Sequence, residues 1–255
     1  MKRSSLLPWI NVVATVAMIT VNVLANALPI NGLNTGEISD RFSVYFVPAG
    51  YVFSIWGLIY LGLIAFSGYQ ILPSQRANSH IRRIGFLYAL SSLANVAWIF
   101  FWHYERFPLT LPAMLAILGS LIAIFVVIWR ARDELSTPDR WAILVPFSIY
   151  LGWISVATVA NVTQLLTFLN WGGWGIGPVA WAVIMLLVAA GIAVLMSVRH
   201  ASVSYAAVFV WAYAGIAVKH YGTPAVGTTA GVLAGVILLS LLINLPRRRR
   251  LWSTV

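Results

Sequence analysis

The residues best suited to binding chemistry form one stripe in the stretch PFSIYLGWISVATVAN, residues 146–161. The stripe consists of Pro146, Tyr150, Trp153, Ala157 and Asn161, spaced by four, three, four and four positions. On an α-helix this spacing places all five side chains on one face. A large ring, a small residue beside it and an amide one turn further suit one wall of a cavity for a flat ligand. The same residues also suit a tight helix–helix seam, so the stripe alone leaves both interpretations open.

Two further pairs of candidate residues, each with a tryptophan, lie on apolar stretches of the chain. Trp56 and Tyr60 are four positions apart, and Asn95 and Trp98 are three apart, so each pair shares a helix face. A buried indole needs a hydrogen-bond acceptor, which the asparagine amides could supply. Other tryptophans, Trp102 among them, are assigned to the aromatic belt at the membrane surface.

The usual groups for acid–base or metal chemistry are missing from the apolar stretches. We find no Asp, Glu, Lys or Arg in them away from their ends, no Ser–His–Asp set and no phosphate-binding loop. There is no cysteine, and the four histidines have no metal-ligand spacing. We therefore expect no catalytic residue, no metal and no cofactor. The lack of intramembrane ionisable groups also argues against an ion-coupled transporter.

The elements that position these residues are membrane helices. Of the 255 residues, 61% are hydrophobic and 9% are charged, whereas soluble domains average about 25% charged residues. We predict an all-α, polytopic bundle of about eight spans, each needing about 20 apolar residues. The predicted spans are 8–28, 50–72, 85–103, 108–129, 142–164, 178–198, 203–219 and 224–245.

The charges between these spans predict the topology. With the amino terminus inside, the inner segments carry 13 of the 16 Lys and Arg residues, and the outer ones carry Arg41, Arg106 and Lys219. This split predicts that both termini are cytoplasmic. We expect the membrane to be a bacterial cytoplasmic membrane. The basic run Arg247–Arg250 is interpreted as an anchor beside anionic headgroups rather than a nucleic-acid site. The outer loop 29–49 ends in aromatic residues, so we expect it to fold over the bundle.

The composition of the chain changes near the glycine-rich connection that follows Asn170. We predict a five-helix membrane domain over 1–169 and a three-helix extension with a basic tail over 170–255. In the last span Gly227, Gly231 and Gly235 are spaced for a seam in which two backbones approach closely.

Three segments resemble the TspO/MBR family of tryptophan-rich sensory proteins and translocator proteins. The first runs from Val47 through Trp56 to Tyr60, the second is Asn95–Trp98 followed by two phenylalanines, and the third is the stripe from Pro146 to Asn161 with Thr158. They occur in the family's order within the first 165 residues. The family's Gly-Pro before the second-helix tryptophan is replaced by Ser54-Ile55, and the chain is about 90 residues longer than a five-helix member.

The resemblance implies a five-helix core that binds porphyrins or other flat hydrophobic molecules beneath the first loop. On this basis we predict a sensory-type protein with seven ligand-binding residues: Trp56, Tyr60, Asn95, Trp98, Trp153, Ala157 and Asn161. The alternatives are a porphyrin-degrading enzyme, a transporter of hydrophobic molecules and a structural scaffold. The expected partners are the lipid bilayer and a tetrapyrrole-like ligand, with no nucleic acid. The oligomeric state stays open, a homodimer included.

Overall fold

The computed structural model describes residues 6–28 and 30–253, and it describes side chains up to residue 246. Some of the basic residues counted in the topology prediction lie outside the described part: Lys2 and Arg3 entirely, and Arg247–Arg250 with their side chains. The helices are α1 (Leu7–Ala27), α2 (Thr35–Asp40), α3 (Ile55–Ile71), α4 (Ser79–His103), α5 (Phe107–Arg130), α6 (Thr137–Asp139), α7 (Val145–Phe168), α8 (Pro178–His200), α9 (Val203–Lys219) and α10 (Pro224–Ser253). The described part of the chain contains no strand.

The predicted helical membrane bundle is confirmed. Seven helical segments are long and apolar enough to cross a membrane, and the seventh predicted span, 203–219, corresponds to the shorter helix α9, with 17 residues. Helix α3 is lengthened at its start by the tight turn Gly50–Ser54, so that one apolar segment runs from Gly50 to Ile71. A π-helical segment, Arg140–Leu144, leads into α7.

The contacts divide the chain into two compact units. The first comprises Met1–Arg41 and Trp56–Leu151, and the second comprises Phe42–Ile55 and Gly152–Val255. The division therefore falls within α7, between Leu151 and Gly152. The predicted boundary between 1–169 and 170–255 stays a prediction.

A seam of buried polar residues holds the first unit together. The Thr15 hydroxyl on α1 hydrogen-bonds to Ser67 on α3 and to Tyr88 on α4. Toward the other end of α1, the Asn22 amide donates to Asn95 Oδ1 over 2.7 Å. Amides and hydroxyls join helices well in a membrane, because lipid tails cannot satisfy them.

The loop before Phe42 folds onto the end of α4. The Trp102 indole donates to the Thr35 carbonyl over 3.2 Å, and Arg41 forms an ion pair with Glu105. Trp102 is only 2% exposed. Its assignment to the aromatic belt was wrong, because the folded loop covers its ring and accepts its N–H.

In the second unit α8, α9 and α10 pack against one another. Among the three glycines of the predicted seam, Gly227 has the closest approach: a Cβ there would lie 2.7 Å from the His220 carbonyl oxygen. A Cβ at Gly231 would make an ordinary contact of 3.9 Å, and one at Gly235 would meet nothing within 4 Å. Only the first of these positions therefore requires glycine for packing.

Candidate ligand cavity

The second unit contains a cavity of about 570 Å³ that is open on part of its boundary. Four segments line it: residues 43–46, one face of α7 from Thr158 to Thr167, the connection 171–173 with Ile176, and the start of α8 from Pro178 to Met185. We call this space the α7–α8 cavity. All of its lining residues belong to the second unit.

The α7 wall alternates apolar and hydroxyl side chains. Thr158, Thr163 and Thr167 line the cavity together with valines and a leucine at helical spacing. Each threonine donates its hydroxyl proton to the carbonyl four residues earlier, at 2.7, 2.8 and 2.9 Å. Such bonds let a membrane helix carry hydroxyls at little cost, because the proton is satisfied within the helix itself.

Two tryptophans, Trp171 and Trp181, line the cavity, and Trp174 packs beside them. The rings of Trp171 and Trp181 lie 5.4 Å apart at 50°, and the ring of Trp174 stands across that of Trp171 at 5.2 Å. The Trp181 indole donates to the Gly173 carbonyl over 2.8 Å. Gly173 has φ +64°, and a Cβ there would lie 3.3 Å from the Trp181 nitrogen. Glycine at this position therefore lets the connection turn directly against the indole.

Two aromatic residues of the segment 43–46 contact α9 or the residue that follows it. The Phe46 ring meets the Tyr213 ring edge-on at 6.4 Å, and the Tyr45 ring lies 5.4 Å from the His220 ring. The following residues are tied to α9, since Ala49 N–H donates to the Gly215 carbonyl over 3.1 Å and the Trp211 indole donates to the Val52 carbonyl over 3.0 Å. Helix α9 therefore holds the cavity wall formed by residues 43–46 in place.

The cavity is electrically neutral in the part of the chain that the structure describes. None of its lining residues is Asp, Glu, Lys, Arg or His. His220 lies against one lining residue, Tyr45, and its Nε2 has no hydrogen-bond partner among the described residues. Burial lowers the pKa of His220, the Lys219 charge lowers it further, and a hydrogen bond with the Val47 backbone opposes them. The neutral imidazole is therefore the favoured form.

Three of the predicted site residues lie around one buried tyrosine in the first unit. The Trp56 and Tyr60 rings stack at 5.6 Å and 25°, and the Trp56 ring meets the Tyr150 ring at 6.0 Å. The Asn95 amide donates to the Tyr150 hydroxyl over 3.3 Å. The structure thus brings Trp56, Tyr60 and Asn95 together through Tyr150, a stripe residue that was not included in the predicted site.

Trp98 has a different set of neighbours in the first unit. Its ring stacks on the Trp102 ring at 5.3 Å and 14°. The stack lies one turn further along α4 than Asn95, toward the end that the loop covers. Pro146, at the start of the stripe, packs on α3, where a Cβ at Gly62 would lie 2.9 Å from the proline Cβ.

The remaining three predicted residues lie on α7 in the second unit. The Trp153 ring meets the Phe53 ring edge-on at 5.6 Å, and both Trp153 and Asn161 are 2% exposed. Ala157 is half-buried. None of the seven predicted residues lines the α7–α8 cavity. Their role in ligand binding stays a prediction.

Sequence reasoning missed the α7–α8 cavity because most of its lining consists of common residue types. Thr158 was considered only as part of a resemblance, and Thr163 was not considered as a site residue. A usable signal was present in the threonines at 163 and 167, four positions apart on a helix face beside a tryptophan-rich connection.

The fold and the cavity define a polytopic helical membrane protein with a cavity partly lined by aromatic side chains. The family model described as TSPO-like protein matches residues 8–243. The chain therefore belongs to the TSPO-like family, and the match includes the three C-terminal helices as well as the segments that carry the resemblance. Comparisons with curated proteins and with solved structures gave no significant match.

Proposed function

We propose that this TSPO-like protein binds a flat hydrophobic molecule in the α7–α8 cavity. The observation that carries the proposal is a cavity of about 570 Å³ with tryptophan rings on one side and aliphatic and threonine side chains on another. Small-molecule sites in proteins are mostly apolar spaces of about 300–1,000 Å³ with a few polar groups that orient the ligand. Aromatic faces favour a flat partner, because stacking adds to the burial of apolar area.

A tetrapyrrole is the specific ligand that the family resemblance suggests. A porphyrin ring fits the requirement for a flat apolar body, but its carboxylates would meet no cation among the lining residues. Buried charges without partners are costly, so a porphyrin would have to keep its carboxylates in water or at the headgroups. Tetrapyrroles therefore belong in the test as one class of candidate ligand.

The proposal is tested by energy transfer from tryptophan to a flat fluorescent probe, 1-pyrenemethanol, with the full chain in lipid nanodiscs. The filling variant is Val162→Phe, because Val162 lines the cavity and the larger ring occupies its volume. The control is Val232→Phe, the same change at a position on α10 that is 60% exposed. We expect saturable binding that Val162→Phe weakens at least tenfold and that Val232→Phe leaves unchanged.

Equal affinity in the wild-type protein and the Val162→Phe variant would place the pyrene elsewhere and refute the proposal. The same titration with protoporphyrin, in the dark and under illumination, distinguishes a porphyrin-binding protein from a porphyrin-degrading enzyme. Binding without loss of the porphyrin absorbance supports a binding protein. Light-dependent loss of that absorbance, absent from empty nanodiscs, would support the porphyrin-degrading alternative.

A further inference from the structure

The wall of α7 offers the cavity hydrogen-bond acceptors and no hydroxyl donors. A threonine hydroxyl has one proton and two lone pairs. The protons of Thr158, Thr163 and Thr167 are all donated to backbone carbonyls of α7, so the oxygens can only accept a further bond. At 1.5 Å per residue, the first two oxygens lie about 7.5 Å apart along the helix axis and the last two about 6 Å apart.

The donors on the other walls are restricted in a different way. The Trp181 N–H is already donated to the Gly173 carbonyl over 2.8 Å. Ser43, Tyr45 and Trp171 also line the cavity and carry a proton that can be donated, but among the described residues none of them donates to a threonine of α7. A ligand group that contacts the α7 wall therefore meets oxygen acceptors that receive no hydrogen bond from the described residues of the cavity.

The lack of charge adds a second restriction. An anion beside the threonine oxygens would face lone pairs with no compensating cation among the lining residues, and a cation would find no carboxylate there. A neutral molecule avoids both costs. A molecule without any donor would cover the threonine oxygens and leave their lone pairs without a hydrogen bond, so it should bind less tightly than one that supplies a proton.

Resting on the binding function proposed above, we infer that the ligand is a neutral, flat hydrophobic molecule with a hydroxyl group, an alcohol or a phenol, that donates to the threonine oxygens of α7. Its apolar body packs against Trp181 and the aliphatic residues. The ligand hydroxyl distinguishes it from apolar molecules of similar size, because only a hydrogen-bond donor can bond to the threonine oxygens.

The test uses three probes with the same ring system: 1-pyrenemethanol, 1-methylpyrene and 1-pyrenecarboxylate. The protein variants are Thr158→Val and Thr163→Val, which remove an acceptor while keeping the side-chain shape. The control is Thr229→Val, because the Thr229 hydroxyl makes the same backbone bond, to the Ala225 carbonyl, on an exposed face of α10. It therefore reports any effect of losing that bond alone.

The measured quantity is the ratio of the affinities for pyrenemethanol and methylpyrene. Partition of each probe into lipid is the same for all variants, so it cancels when ratios are compared. We expect Thr158→Val or Thr163→Val to reduce the ratio about twofold to tenfold, the range that one hydrogen bond contributes. Thr229→Val should leave it unchanged, and pyrenecarboxylate should bind wild-type protein more weakly than either neutral probe.

An unchanged ratio in both cavity variants would overturn the inference, and so would binding of the carboxylate as tight as that of the alcohol. Either result can occur while Val162→Phe still blocks methylpyrene, in which case the cavity binds a ligand of another class. If Val162→Phe affects none of the three probes, the proposed function itself fails. The two failures are therefore distinguishable within one set of titrations.

Discussion

A methyl group added at Gly215 should destabilise the second unit, because it would collide with the segment that precedes α3. An ideal Cβ there would overlap Val52 Cγ2 and lie 3.1 Å from the Pro48 Cβ. Val52 is fully buried, at 0% exposure, and its branched side chain has few alternative rotamers. The two hydrogen bonds that tie this segment to α9, from Ala49 N–H and from the Trp211 indole, flank the collision.

The size of the effect follows from the two ways in which the structure can respond. If the segment stays in place, overpacking costs about 1–3 kcal/mol. If it moves away, the two hydrogen bonds are weakened, at about 1 kcal/mol each. The higher helix propensity of alanine offsets about 0.5–1 kcal/mol of this destabilisation. We expect Gly215→Ala to lower the free energy of unfolding by about 1–2 kcal/mol.

The assay is equilibrium unfolding by sodium dodecyl sulfate in mixed micelles, followed by tryptophan emission. The matched control is Gly231→Ala on α10, where the new Cβ makes only an ordinary 3.9 Å contact with Ala217. That variant should be as stable as the wild-type protein or slightly more stable. Combining Gly215→Ala with Val52→Ala should cost less than the sum of the single changes, because the second removes the colliding atom. Equal stability of the two glycine variants, or strict additivity in the double variant, would refute the reasoning.

Two further predictions concern the contact between His220 and Tyr45 and the stripe of residues on α7. The depressed pKa of His220 means that its contribution to stability is present above about pH 6.5, the ordinary value, and is lost as pH falls through the lower folded value. His220→Gln should therefore flatten the pH dependence of resistance to proteolysis of the 43–46 segment between pH 7 and pH 5; an unchanged slope would contradict this. The stripe does not line the α7–α8 cavity, so the sequence-based site has its own test: if bound ligand reaches the stripe, Ala157→Leu weakens binding with little loss of fold, and Trp153→Ala weakens it more than Trp153→Phe, which keeps a ring. Full affinity in Ala157→Leu and Trp153→Ala would remove the stripe from the site.

The helices were predictable because length and hydropathy determine which segments can cross a membrane. The predicted span 203–219 coincides with α9, and the span 178–198 differs from α8 only at its C-terminal end. Proline marks the starts of α8 and α10, since it fits the first turn of a helix. The third span was predicted to start at 85, whereas α4 starts at Ser79, capped by the Asn78 side chain. Polar and basic residues in the first turn lowered the hydropathy there without preventing the helix.

The side-chain neighbourhoods were less predictable, because they depend on contacts between residues far apart in sequence. Asn95 was expected to serve the indoles, but its amide pairs with Asn22 on α1 and with the Tyr150 hydroxyl. Spacing within α4 cannot show which helix lies opposite. In the same way, the segment 42–55 belongs to a unit that otherwise starts at Gly152, through bonds to residues more than 150 positions away.

Helix α7 shows why the most unusual residues need not line the accessible space. Trp153 and Asn161 lie on a buried stripe, whereas Thr158 lies one residue beyond Ala157 and so about 100° further around the helix, on the face that lines the cavity. A ligand that touches the buried stripe has to displace side chains that already have partners, whereas a ligand at the threonine face meets existing space. Binding energy spent on opening the protein is subtracted from the observed affinity. The threonine face is therefore the less costly first contact, and the predicted stripe can contribute only after a rearrangement of its packed rings.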